Sequence, residues 1–396
     1  MWILDSTLRE GEQTPGVCFP LHVKLEIAEL LSRFGVRILE AGHPAVSPRI
    51  REAVSVLAAR PLTPLVAAHA RSTVEDVEAA LECGVQFLGI FYCVSEERLS
   101  GVFRKTLPQA IDQIQHVISY ARSHSPEMLI RYTPEDTVRS SYENVICAAR
   151  AAVDAGANII SVADTTGFMV PHVRSMYDFV SQLREDLSRH TSAQIKIAVH
   201  CHNDRGLALA NALDGLRAGA EIVDTSILGL GERAGIVDLA SLIASQLNPD
   251  DSPQDTIESL DLSVLTELYD LVSSHTGIPV PLTAPVVGAN AFTHCAGVHT
   301  HAAARNPCHY ESLSPALFGR ERAFALDHMS GKSSIQYALD QIGHAEEPGL
   351  IEQLMREVKT IGESGRVVSL REFSLLVRMF HRQSVLSEEY SYGNAR

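Results

Sequence analysis

Along its first stretch of about 245 residues the chain alternates between short apolar runs and longer segments with helical periodicity. Eight runs rich in β-branched and aliphatic residues read as strands, at 2–5, 36–41, 62–68, 85–92, 128–132, 158–163, 195–200 and 221–228. Between them, apolar positions recur at helical spacing over 22–34, 73–83, 108–123, 142–155, 173–187, 207–218 and 237–246. Several of these helices run into glycine, as at Phe34-Gly35, Cys83-Gly84, Ala155-Gly156 and Ala218-Gly219. Glycine just past a helix end adopts the left-handed conformation cheaply.

Eight strand-then-helix units fit an α/β fold of the (β/α)8 TIM-barrel type, and a doubly wound open sheet shares the same periodicity. The polar residues favour the barrel. Glu10, His69, Arg71, Arg131, Thr133, Asp164, Thr165, His200 and His202 all fall at or just past the C-terminal ends of the predicted strands. A barrel gathers those ends on one face, whereas an open sheet keeps the first strand away from the seventh. Beyond residue 246 the pattern changes. A Pro-, Asp- and Ser-rich linker at 248–255 precedes a helix near 257–274, then a Pro/Gly-interrupted stretch over 277–301. Helices are expected near 333–342, 349–361 and 369–380. The organisation expected is a catalytic barrel over 1–246 and a C-terminal linker, lid and helical subdomain over 247–396.

Composition narrows the function. With 45% hydrophobic residues and a mean hydropathy near zero, the chain reads as globular. No apolar run approaches the roughly 18–20 residues that span a bilayer. The N-terminus enters a strand at once, without the basic and apolar segments of a leader, so a cytoplasmic location and no membrane partner are expected. The formal charge of −15 argues against a nucleic-acid partner, and an anionic substrate must be met by local arginines. Seven scattered cysteines without CxxC spacing indicate neither a disulfide framework nor a zinc ribbon.

The chemistry concentrates in two distant segments. Asp5-Ser6-Thr7-Leu8-Arg9-Glu10-Gly11-Glu12-Gln13 follows the first strand, and His200-Cys201-His202-Asn203-Asp204 closes the seventh. His200 and His202 alternate along a strand and so share a face, where Glu10 can complete a ligand set. Imidazole and carboxylate donors suit Mn, Mg, Zn, Co or Fe with positions left open for a 2-oxo acid. Arg9 would then stabilise the oxyanion that forms on attack at the carbonyl. His299 and Tyr310, beyond the barrel, are candidate acid/base groups. The loop Gly229-Leu230-Gly231-Glu232-Arg233-Ala234-Gly235 either offers backbone N–H groups to an anion or makes a tight turn held by its Glu/Arg pair, and Glu232 adds a catalytic candidate.

On these motifs, with Arg131-Tyr132-Thr133-Pro134-Glu135-Asp136-Thr137, Ala163-Asp164-Thr165-Thr166-Gly167, Phe292-Thr293-His294-Cys295-Ala296-Gly297-Val298-His299 and Asn306-Pro307-Cys308-His309-Tyr310-Glu311, the chain resembles the DRE-TIM metallolyase superfamily in its Claisen-condensing branch. That branch holds homocitrate, isopropylmalate and citramalate synthases. The resemblance implies metal binding by Glu10, His200 and His202, flanked by Arg9 and Gln13. It implies substrate-carboxylate contacts at Thr133 and Thr165. It also implies acid/base work by His299 and Tyr310, reaching in from the partner of a domain-swapped homodimer. The implied reaction joins acetyl-CoA, as co-substrate, to the keto carbon of a 2-oxo acid and then hydrolyses the thioester.

Glu232-Arg233-Ala234-Gly235-Ile236 is similar to homocitrate synthases. His69-Ala70-Arg71-Ser72-Thr73 and Ala41-Gly42-His43-Pro44 depart from their lysine-pathway form, where the substrate tail lies. His43, His69, Arg71 and Arg98 are therefore expected to form a pocket for an anionic tail, with Arg131 a further substrate contact. The reaction expected is homocitrate-synthase-like, yet these departures point to an acceptor other than 2-oxoglutarate: another short anionic 2-oxo acid such as oxaloacetate or phosphonopyruvate, the latter by resemblance to phosphonomethylmalate synthases. The competing reading is a metal-dependent carbon–carbon lyase or aldolase that needs no CoA. The resemblance to the lyase that cleaves hydroxymethylglutaryl-CoA is weaker, because its glycine loop carries a cysteine and residues 229–235 have none.

Overall fold

Period-two alternation in eight parallel strands closes the first half of the chain into a barrel. The computed structural model describes residues 1–247, 259–345 and 348–393. Strands β1 (Trp2–Asp5), β2 (Ile38–Gly42), β3 (Leu65–Arg71), β4 (Phe87–Cys93), β5 (Leu129–Glu135), β6 (Ile159–Asp164), β7 (Lys196–Cys201) and β8 (Ile222–Thr225) pair in chain order. β1 closes on β8 with Leu4 opposite Asp224. Between the strands lie α1 (Leu21–Phe34), α2 (Pro48–Ala58), α3 (Val74–Leu81), α4 (Leu107–His124), α5 (Tyr142–Asp154), α6 (Met176–His190) and α7 (Ala208–Arg217), and α8 (Leu239–Gln246) follows β8. The barrel expected from the pattern is the barrel found.

The inward faces explain where the chemistry sits. Leu4, Ile38, Ala67, Phe87, Ile159, Ala198 and Ile222 form a buried apolar plug. Two residues further along β2, β3, β6, β7 and β8, the same inward rows carry Glu40, His69, Ser161, His200 and Asp224. Above Phe87 the row continues with Gly89, and above Leu129 with Arg131. A layer of polar groups therefore stands directly on a layer of hydrocarbon.

Two details differ from the sequence pattern. α2 escapes the pattern because its buried face is only Ala53, Val54 and Leu57. Its start is nonetheless marked, since Ser47 Oγ accepts from Ile50 N at 3.2 Å and Pro48 opens the first turn. β8 stops at Thr225, short of residue 228, because the chain enters a 3-10 turn in which Leu228 takes φ 60°.

The chain divides into two compact units, one ending at Val280 and the other running from Pro281. The helix Leu265–Thr276 belongs to the first, where the Tyr269 hydroxyl donates to Asp238 at 2.5 Å and accepts from Ala240 N at 2.7 Å. The linker expected at 248–255 lies outside the described residues. In the second unit, helices Lys332–Gln341, Pro348–Gly362 and Leu370–Gly393 enclose a core that includes Ile335, Leu339, Leu354 and Phe373. The segment with His299, expected to be irregular, forms the helix Gly297–Arg305. Among the described residues no helix is long and apolar enough to cross a membrane.

Candidate active site

A cavity of about 390 Å³ opens at the C-terminal ends of the strands. Glu10 reaches it from the 3-10 turn after β1, and His200 and His202 reach it from the end of β7. All three are buried, and one ligand atom from each lies within 4.8 Å of the others. His200 Nε2 faces His202 Nε2 at 3.2 Å, while His200 Nδ1 lies 3.0 Å from Asp224 Oδ2. With its Nδ1–H donated to Asp224, His200 turns the lone pair of Nε2 towards the other ring. This is the donor set and tautomer that a divalent cation uses. The residues fit such an ion.

A row of alternating charge runs beside these donors, from Asp224 to Glu10. Asp224 accepts two bonds of 2.9 Å from Arg131 Nη1. Arg131 Nη2 donates to Glu40 at 3.3 Å, and Glu40 accepts from Arg9 Nε at 2.7 Å. Arg9 then pairs with Glu10. Ser6 adds a 2.5 Å bond to Glu40. Burial pushes the Glu40 carboxyl up, but Arg9, His69 and Arg131 more than offset it and hold the group well below the usual carboxylate range. The same contest, with Arg9, His200, His202 and the Glu232 N–H as the opposing groups, holds Glu10 below its ordinary value. Burial and the Arg9 charge push His69 down to about 4, so this ring is neutral near pH 7.

The glycine loop serves Glu10. Glu232 N donates to Glu10 Oε1 at 3.1 Å, and a Cβ on Gly231 would stand 3.1 Å from the same oxygen. Thr14 clamps the loop by accepting from Gly231 N and donating to Gly231 O. Of the two alternatives for the loop, the Glu/Arg pair does not form; Arg233 instead grips Asp204 at 2.7 and 2.9 Å. Gln13, with its amide oriented to donate, lies 2.9 Å from both Glu10 oxygens.

Arg9, Glu10, Gln13, His69, Arg131, Thr133, Thr165, His200, His202 and Glu232 all line the cavity, as does His43. Arg71 and Arg98, expected in the tail pocket, do not. Arg71 is spent on Asp76, and Arg98 on Glu135 at 2.7 Å. The Arg131 guanidinium is largely committed to Asp224 and Glu40, leaving Nε buried and unpartnered. Thr133 Oγ1 and Ser161 Oγ are likewise buried without partners among the described residues. Glu40, Asp224, Ser161 and Phe91 were not singled out from the sequence. His299 and Tyr310 lie in the second unit, their rings stacked with centroids 4.0 Å apart.

The chain matches the HMGL-like family over residues 1–272 and the family described as homocitrate synthase post-HMGL domain-like over residues 286–366. It is 42% identical to a homocitrate synthase of Pyrococcus abyssi, over 91% of this chain and 95% of that protein. It is 36% identical to a probable 2-isopropylmalate synthase of Ignicoccus hospitalis, over 92% and 88%. A hydroxymethylglutaryl-CoA lyase structure from Pseudomonas aeruginosa shares the fold, with a TM-score of 0.57 at 21% identity, over 70% of this chain and 93% of that one.

Proposed function

Because the chain belongs to the HMGL-like family and carries the homocitrate synthase post-HMGL segment, we propose that it condenses acetyl-CoA with an anionic 2-oxo acid, as a homocitrate-synthase-type acyltransferase. 2-Oxoglutarate is the leading acceptor, on the likeness to homocitrate synthases. The observation that carries this reading is the meeting of Glu10, His200 and His202 with Arg9 on the floor of one cavity.

Glu10, His200 and His202 would hold a divalent ion, which would supply Lewis acidity to the acceptor's carbonyl. Arg9, fixed by Glu40 and Glu10, meets the negative charge that grows on the oxygen. Thr133, Thr165 and the free Nε of Arg131 face the acceptor's polar groups from β5 and the loop after β6. A base takes a proton from the methyl carbon of acetyl-CoA, and that carbon bonds to the keto carbon. The keto oxygen gains a proton and ends as a hydroxyl. Water then cleaves the thioester and releases CoA. His299 and Tyr310 are assigned the proton transfers, supplied by the partner subunit of a homodimer, and Glu232 lines the cavity as a second proton acceptor.

Release of CoA thiol from acetyl-CoA, with Mn or Mg and with EDTA controls, tests the proposal. Metal-dependent release with 2-oxoglutarate is expected. Silence with every 2-oxo acid, in protein that binds metal, overturns it in favour of a carbon–carbon lyase.

A further inference from the structure

The metal trio comes from β1 and β7, whereas His43, His69 and Phe91 come from β2, β3 and β4. In an eight-stranded barrel β7, with both metal-site histidines, stands across the mouth from β3, with His69, while His43 and Phe91 come from the strands on either side of β3. An acceptor chelated at one side therefore points its tail at the other. His69 stacks on Phe91 with centroids 4.6 Å apart, and the His43 ring stands edge-on to both, at 6.0 and 6.4 Å.

Only one of these rings is braced by a carboxylate from outside the charge row. His43 Nε2 lies 2.7 Å from Asp76 Oδ2. Asp76 is buried, and Arg71 grips it with Nε and Nη2 at 2.8 Å each and with its backbone N at 3.0 Å. Thr73 adds a further bond at 3.3 Å. So held, Asp76 accepts, and His43 donates through Nε2. Its ring thereby has one nitrogen fixed on Asp76 and the other left for a ligand. With Nε2–H held by Asp76, the ring meets an acid group at Nδ1 when that nitrogen also carries a proton, both ring nitrogens then donating. His69 does not serve equally, because burial and Arg9 keep it neutral and its Nδ1 faces Glu40 at 3.2 Å. Gly42 makes the placement possible: its φ is 153°, and a Cβ there would meet Ile50 at 2.8 Å.

We propose that His43, positioned by an Arg71–Asp76 brace, is the residue that selects acceptors with an acid group at the far end of the chain. The inference rests on the condensation reading above. Arg71 then acts through Asp76 as a positioning residue. A carboxylate and a phosphonate tail offer the same anionic chemistry, and an aliphatic tail offers none.

The experiment compares wild type, His43→Leu, His43→Gln and Asp76→Asn with four acceptors: 2-oxoglutarate, oxaloacetate, phosphonopyruvate and 2-oxoisovalerate. KM and kcat are read for each, together with the rise in Tm that each acceptor causes. His43→Leu is expected to raise KM for the anionic acceptor used best by at least about tenfold, with KM for acetyl-CoA unchanged. It should shift the preference towards 2-oxoisovalerate by about 100-fold. His43→Gln and Asp76→Asn should move the same way by less, and the Tm rise with the anionic acceptor should shrink in step. Equal losses on anionic and aliphatic acceptors, or no change on either, overturn the proposal while leaving the condensation reading intact. A wild-type chain that releases no CoA with any acceptor overturns both.

Discussion

Oδ2 of Asp224 lies 3.0 Å from Nδ1 of His200, on the side of the ring away from His202. The contact decides which nitrogen carries the proton and which one faces a metal. Asp224→Asn keeps the shape and removes the charge, so metal affinity is expected to fall about 10–100-fold. His200→Ala should abolish high-affinity binding. Equilibrium dialysis with Mn or Zn measures both, and an Asn variant that binds as tightly as wild type removes Asp224 from this role.

Glu40 is the shared acceptor of Arg9 and Arg131; it is buried with Arg131, and Arg9 is half-buried beside it. Taking its charge away leaves two guanidinium groups in a closed space with only Glu10 and Asp224 to answer them. Glu40→Gln is expected to cost about 3–5 kcal/mol in urea unfolding, as for other broken buried pairs. A loss under about 1 kcal/mol would show that water screens the row.

Gly235 holds φ 79°, and a Cβ there would lie 1.8 Å from Gly229 O. Gly235→Ala must therefore open the loop that delivers the Glu232 N–H to Glu10. The expected result is a loss of about 2 kcal/mol or more together with weaker metal binding. Loss of stability with unaltered metal affinity would separate the loop from the site.

Much of this site is legible in the sequence because strand periodicity is legible. H-C-H puts two imidazoles on one face, and R-E after the first strand meets them once the barrel closes. Glu40 and Asp224 were harder to read. Each is a carboxylate within an apolar run, Ile-Leu-Glu-Ala-Gly and Ile-Val-Asp-Thr, and its position two residues above a plug residue was the available signal. The partner that explains them, Arg131, is 91 and 93 residues away. Arg71 was misleading for a local reason. The pattern shows a cation at a strand end, but not that Asp76, five residues on, consumes it.

Asp5 gives the barrel a pH dependence of known sign. Burial pushes its carboxyl up to about 7, against the Thr7 N–H and with the Glu40 charge adding to the rise. The folded chain thus keeps a proton that the unfolded chain loses near its ordinary value of 3.8. Stability contributed by that proton is full below about pH 4, falls as pH rises and levels off above about 7. The total is at most about 4 kcal/mol. Asp5→Asn does not titrate, so its stability relative to wild type should rise between pH 5 and 8 in urea melts. A relative stability that falls over that range contradicts the assignment.

Arg9 belongs to one unit and His299 to the other, so the proposed exchange of His299 across a dimer can be tested by mixing variants. Arg9→Ala and His299→Ala chains are each expected to be inactive. If His299 serves the neighbouring barrel, a mixed dimer holds one site with both residues intact and one with neither. Random reassociation makes about half of the dimers mixed, so a co-refolded equal mixture should recover about a quarter of wild-type turnover. If each chain completes its own site, every site in the mixture lacks one residue and none recovers. Recovery near a quarter supports exchange across the dimer, and no recovery, in protein shown by sizing to be dimeric, assigns His299 to its own barrel.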